Sequence, residues 1–319
     1  MRPSISGPAC IVAAAVSAVL LTACSGAAGT GAGTGKPEGA ARGISSVSHA
    51  PQPAAVPLAG LAKGMRLPLE AYEQNYPEAV AVQAAAMRIE STCMSRYGFT
   101  YDPSQAGQQP PSTYDPTNME RRYGISDPVE AKRYGYHLPS MPQPTPTPPP
   151  LSNQEETALH GVVLSQGQLV PASGDINGTK IAVGGCVGNA YQQLGGVVDT
   201  SLPDQLDASS LQESQAAPRV TAVINQWSRC MKQAGYTVDA PGDAAKLSDA
   251  MGRPTPDAKE LAIAAADIRC KQQTNLVSVW YHVEYTIQQQ LISAHQAALT
   301  QVQQAVAKQA KAASSVPAS

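Results

Sequence analysis

A chain of 319 residues is long enough for two domains, but with 5% aromatic and 14% charged residues it has little bulk for a large core. Its formal charge of −2 at pH 7 argues against nucleic acid or an acidic polymer as a partner. Pro (27) and Gly (26) are frequent and gather in a few stretches, so the foldable part is shorter than the chain.

Met1-Arg2 opens a short, weakly basic segment, and 11–21 is an apolar run too short to span a bilayer as a mature helix. Leu21-Thr22-Ala23-Cys24 then matches the lipobox of bacterial lipoproteins. The bland alternative is an ordinary secretory leader that ends in Ala-Cys. The lipobox resemblance implies a signal peptide over 1–23, cleavage before Cys24 and a diacylglycerol on the Cys24 thiol. The chain would then be extracytoplasmic, anchored by lipid to the outer face of the cell membrane. Residues 24–60 read as that lipidated Cys followed by a tether, with a root-mean-square reach of about 30 Å. Gly29 to Lys36 evokes a phosphate loop, but Thr30 stands where the first Gly belongs and Pro37 replaces the required Ser or Thr.

Beyond the tether the spacing predicts a mainly α fold: disulfide-stapled helices in two related copies, one long C-terminal helix, and much Pro/Gly-rich irregular structure. The first copy spans 61–200 with a Pro/Tyr-rich insertion, the second 201–312, and 313–319 reads as a disordered tail. Val80, Ala84, Met87, Ser91 and Met94 fall at helical spacing over 77–97, with Pro77 in the first turn. Thr117 with Glu120, closed by Gly124, predicts one short capped helix; Asp127, Pro128 and Glu130, closed by Gly135, predict another. The run 141–150 reads as extended and semi-rigid. Ser152 with Glu155 opens a helix that stops at Gly161, residues 180–183 read as extended, and Gly184-Gly185-Cys186 begins a helix through Leu194.

In the second copy Val220, Val223, Ile224, Trp227 and Met231 give the stripe of a packed helix over 218–234. Thr255-Pro256-Asp257 then caps a run without Gly or Pro to about Ala310, about 80 Å long if unbroken. Its expected buried stripe is Leu276, Val279, Trp280, Val283, Ile287, Leu291, Ala294, Ala298, Val302 and Val306, with Thr274-Asn275 as the weakest point.

The two copies share one phrase. Cys93-Met94, three residues, then Gly98-Phe99-Thr100 returns as Cys230-Met231, three residues, then Gly235-Tyr236-Thr237. Both close a helical pattern, with Gly suited to the left-handed position past a helix end. Cys10 is lost with the leader, so Cys93, Cys186, Cys230 and Cys270 remain, with three pairings open. The repeat favours Cys93–Cys186 and Cys230–Cys270, neither involving Cys24. No Cys lies within four residues of another, which argues against zinc.

Catalytic signals are near zero, and no catalytic, metal or cofactor residue is assigned. His137, His160, His282 and His295 form no His-Glu-x-x-His and no i, i+4 pair; Gly-x-Ser-x-Gly is missing. Eight of the twelve Tyr lie from Tyr72 to Tyr136; covering loops and small helices is the plainer role, and a shallow site for wall glycan, peptide or protein the other.

Taken together, Leu21 to Cys24, Pro68-Leu69-Glu70-Ala71-Tyr72, the two Cys-Met segments, Arg121-Arg122-Tyr123-Gly124, Gly184-Gly185-Cys186 and the stretch from Asp267 to Trp280 resemble uncharacterised lipoproteins of actinobacteria. That resemblance implies a cell-envelope location and no established activity. The expected function is a non-catalytic binding or scaffold protein whose partners are the membrane, through Cys24, and peptidoglycan or an envelope export protein, without nucleic acid. The alternative is an envelope hydrolase or wall-modifying enzyme with an unfamiliar site.

Overall fold

The computed structural model describes residues 56–103, 119–138 and 150–317. The leader, Cys24, most of the tether, Thr117 and most of the 141–150 run lie outside the described residues. What is described is mainly helical, with two disulfides among the helices.

A single turn of 3-10 helix, Pro68–Tyr72, precedes α1 (Tyr76–Arg96). Asn75 caps α1: its side chain accepts from the Glu78 N–H at 3.0 Å while Glu78 accepts from the Asn75 N–H at 3.2 Å. Helix α2 (Pro128–Tyr134) opens on Asp127 and stops at Gly135, and α3 (Asn153–His160) opens on the Ser152/Glu155 box and stops at left-handed Gly161. Helix α4 (Gly185–Gln193) follows, starting where Gly185 lies against Leu159 and Gly161 too closely for a side chain. Then come α5 (Ser201–Ala216), α6 (Pro218–Gln233), a 3-10 stretch over Pro241–Ser248, α7 (Ala258–Thr274) and α8 (Leu276–Ser314).

Both Cys-Met helices end in the same way. Phe99 donates its N–H to the Met94 carbonyl and Tyr236 does so to the Met231 carbonyl, across Gly98 and Gly235 with φ of 80° and 93°. The likeness extends past the phrase: Ser91 Oγ donates to the Tyr101 carbonyl, and Ser228 Oγ to the Val238 carbonyl. One bridge, Cys93–Cys186, ties α1 to α4, and the other, Cys230–Cys270, ties α6 to α7.

Several expectations are corrected. Residues 119–124 form turns and no helix, because Arg121, Arg122 and Tyr123 are each drawn to partners elsewhere in the fold. Two short antiparallel hairpins, β1 (Val162–Ser165) with β2 (Gln168–Pro171) and β3 (Asp175–Ile176) with β4 (Thr179–Lys180), form instead, and of the expected extended segment 180–183 only Lys180 lies in a strand. The long C-terminal run is broken, and at the expected weak point: Asn275 is left-handed (φ 55°, ψ 32°), ends α7 and turns the chain into α8. His295, with φ −116° and ψ 16°, interrupts α8 again. Nor is the tail free, since α8 continues to Ser314 with Ala313 only 3% exposed, and Val316 packs beside it. The folded part begins before residue 61: the Leu61 N–H donates to the Ser126 carbonyl, and a Cβ on Gly60 would lie 2.8 Å from the same oxygen.

The copies are not separate domains; the described residues all fall in one unit. Helix α8 packs on α5 and α6 as well as on α1 and the 68–72 turn. The main core likewise mixes Ala62, Leu67, Met119 and Tyr123 of the first copy with Val220, Trp227, Met231, Ile263, Leu276 and Trp280 of the second.

Candidate functional site

Two helices with few large apolar residues on their facing sides meet along a line of polar side chains. Helices α5 and α8 run antiparallel, pairing Asp207 with Gln288 (Nε2 to Oδ1, 2.9 Å), Ser210 with Glu284 (Oγ to Oε1, 2.9 Å) and Ser214 with Trp280 (Nε1 to Oγ, 2.8 Å). The turn at 121–124 closes the seam. Arg122 donates two parallel bonds to the Asp207 carboxylate at 2.9 and 2.8 Å, and its Nε donates to Glu284 at 3.1 Å. Tyr123 donates its hydroxyl to the other Glu284 oxygen at 2.7 Å and sets its ring 5.0 Å from that of Trp280. Burial works against the charge on Arg122, but the bonds and charges of Glu284 and Asp207 outweigh it and raise its pKa. Burial raises the Asp207 carboxyl, and Arg122 pulls it back down.

At one end of this seam the 68–72 turn docks on α8. The Leu69 N–H donates to Gln288 Oε1 at 2.9 Å, and Gln303 and Tyr281 donate to the Ala71 and Arg66 carbonyls. The turn brings two more acids inside. Glu70 accepts from the Leu67 N–H, and burial pushes its pKa up to about 7. Glu73 is 5% exposed, and neither of its carboxyl oxygens has a hydrogen-bond partner. Burial, then the charges of Asp207 and Asp204, push its pKa up to about 9, so it is protonated at neutral pH.

A second buried network lies under α2. Asp267 accepts from Trp227 Nε1 at 2.9 Å, Lys271 Nζ at 3.1 Å and Tyr136 Oη at 3.3 Å, while Lys271 also donates to the Ile125 carbonyl. Burial pushes the Asp267 carboxyl up and the Lys271 amine down. Glu260 accepts from the Tyr136 N–H at 2.8 Å and has His137 Nε2 at 3.3 Å, close enough for an ion pair but misaligned for a hydrogen bond. Arg121 donates to the Tyr136 and His137 carbonyls. Gly124 is required here: its φ is 80°, and a Cβ would lie 2.7 Å from Lys271 Nζ.

The predicted residues fall in different places. Cys93, Cys186, Cys230 and Cys270 form the two staples, and Cys24 lies outside the described residues. His137 meets Glu260 and His160 meets Glu156, with no shared partner between them, while His282 and His295 are exposed. Tyr97, Tyr123 and Tyr136 act as internal struts, their hydroxyls bonded to Lys180, Glu284 and Asp267, so these rings do not gather into a surface site. Glu284, Gln288, Asp207, Glu73 and Lys271 were missed, because a polar residue on a helix reads as its wet face. A signal was present: Glu284 and Gln288 stand one turn apart inside the flanking apolar stripe.

Among the described residues no group of three or more His, Cys, Asp or Glu could hold a metal, and no helix is long and apolar enough to cross a membrane. Two open grooves flank α1. One, about 430 Å³, is walled by Val82, Met87, Glu90, Tyr191, Val198 and Gln309; the other, about 560 Å³, by Arg88, Ile89, Thr92, Arg96, Gln193 and Val316. Neither includes a residue of the two buried networks. No protein-family model, curated protein or solved structure matches the chain.

Proposed function

We propose that the chain is a lipid-anchored, non-catalytic binding or scaffold protein of the bacterial cell envelope, engaging peptidoglycan or an export protein through the surface beside α1. The observation that carries this reading is how the charges are used. Arg122, Asp207, Glu284, Asp267 and Lys271 are held by one another inside the fold, whereas the grooves beside α1 stay open. Interhelical bridges mark an oxidising, extracytoplasmic compartment. The membrane anchor rests on Leu21-Thr22-Ala23-Cys24. Fractionation tests it: Cys24→Ser is expected to leave the membrane fraction or stall with its leader attached. A mutant that stays in the membrane, in cells whose parent chain carries no diacyl mass at Cys24, would refute the anchor.

A second reading, an envelope hydrolase, has one observation in its favour. Glu73 is held protonated at neutral pH by burial and the nearby charges of Asp207 and Asp204, and a carboxyl that keeps its proton there can act as a general acid. Incubation with purified peptidoglycan decides between the readings. Co-sedimentation without soluble fragments supports binding; fragments that vanish with Glu73→Gln support hydrolysis.

A further inference from the structure

The larger groove beside α1 has a chemistry that the rest of the fold does not account for. Arg88, Thr92 and Arg96 are spaced one turn apart and line the same strip of surface, the Cα atoms of the two arginines about 12 Å apart along the axis. Among the described residues that line the groove there is no acidic side chain. Arg88 Nε is buried and has no hydrogen-bond partner, the one guanidinium nitrogen of α1 left in that state. A buried donor without a partner is destabilising, and a bound acceptor would remove that cost.

The Cys93–Cys186 bridge fixes α1 to α4, whose Gln193 forms one side, and Val316, just past the end of α8, forms the other. Nor do the arginines belong to the duplicated staple. At the positions matching Arg88, Ile89, Thr92 and Arg96, the second copy has Asn225, Gln226, Arg229 and Gln233.

We infer that this groove binds a short peptide, its free C-terminal carboxylate taken by Arg88 and Arg96 and its body lying on Ile89, Val316 and Gln193. A guanidinium fork suits any oxyanion, carboxylate or phosphate. The size and the walls select the peptide. About 560 Å³ is the volume of a ligand site and far exceeds one anion. Ile89 and Val316 offer apolar contact that a bare phosphate cannot use, and the Gln193 amide can both donate to and accept from a peptide group.

This inference rests on the binding-protein reading but not on the lipid anchor. The test uses the full chain in detergent, titrated calorimetrically with N-acetyl-Ala-Ala, the same dipeptide as its C-terminal amide, and inorganic phosphate. The free acid is expected to bind saturably, at least about tenfold more tightly than the amide or phosphate, and to weaken with added salt. Arg96→Gln, an exposed position, and Arg88→Gln are each expected to weaken the acid by about tenfold or more, with unchanged melting temperature for Arg96→Gln. Equal binding of acid and amide, phosphate as tight as the acid, or no saturable binding at millimolar peptide would overturn the inference. Release of Cys24→Ser from the membrane is scored separately, so the anchor and the groove fail or stand independently.

Discussion

Arg122 and Glu284, 162 positions apart in the chain, meet with side chains 6% and 0% exposed, and between them they fasten the first copy to the second. Because Arg122 also holds Asp207, one side chain compensates two buried carboxylates. Arg122→Met is expected to destabilise the fold by about 3–5 kcal/mol, the cost of leaving buried charge uncompensated. Arg122→Lys should recover only part of this, since an ammonium cannot make the parallel bonds to Asp207. Urea denaturation measures both; a loss below about 1 kcal/mol for Arg122→Met would show that the seam holds without it.

Glu73 gives stability a pH dependence of unusual sign. In the folded chain it keeps its proton up to about pH 9, against an ordinary value of 4.5, and Glu70 keeps its proton to about 7. Between those values the folded state binds more protons than the unfolded state. The contribution is therefore whole below about pH 4.5 and lost as pH rises, by at most about 1.4 kcal/mol per unit per group, levelling off above about 9. Glu73→Gln should flatten the upper part of that slope. Urea midpoints across the neutral to alkaline range check it, and an identical slope in the variant would mean that Glu73 ionises normally.

The second staple encloses the turns between α6 and α7. Cys230→Ser with Cys270→Ser should cost about 4 kcal/mol in the chain-entropy account, for a separation of 40 residues. Protease sensitivity should appear over 234–257, because α8 is held independently by α5, α1 and the 68–72 turn. Non-reducing peptide mapping should recover Cys93 with Cys186 and Cys230 with Cys270; a Cys93–Cys230 peptide would contradict the arrangement.

Asn275 occupies the left-handed conformation that separates α7 from α8. Asn275→Gly should be close to neutral, whereas Asn275→Val should lose roughly 1–2 kcal/mol from the strain of a β-branched side chain at positive φ. Thermal melting of the pair distinguishes them. Equal melting temperatures would show that the break does not depend on this backbone conformation.

Much of the fold was legible where local chemistry specifies it. Asp127 with Gly135, Ser152/Glu155 with Gly161, and the Cys-Met phrases with their Gly stops mark their own ends, because a cap needs only neighbours in sequence. Helix α5 was invisible for the opposite reason. Its buried line is Pro203, Leu206, Asp207, Ser210 and Ser214, which has helical spacing but almost no apolar character. The same cause displaced the stripe on α8: Ala294 and Ala298 are exposed while Glu284 and Gln288 are buried. Polar burial depends on partners supplied from far along the chain, here Arg122 and Asp207, and no local pattern contains them. The arginines of the α1 groove were passed over because isolated cations on a helix read as solvated.

Each Cys-Met unit carries its own stop, its own serine clasp and its own covalent tie, so it is complete as a mount whatever is fixed to its outer face. One mount turns Arg88 and Arg96 to a groove; the matching positions of the other, Asn225 and Gln233, face outward as exposed polar residues. Change on the display side leaves the mounting untouched. The α1 face can therefore be re-lettered for new ligands, by selection or by design, with α1 and α4 still bolted in register, and the exposed matching face of α6 offers the same freedom.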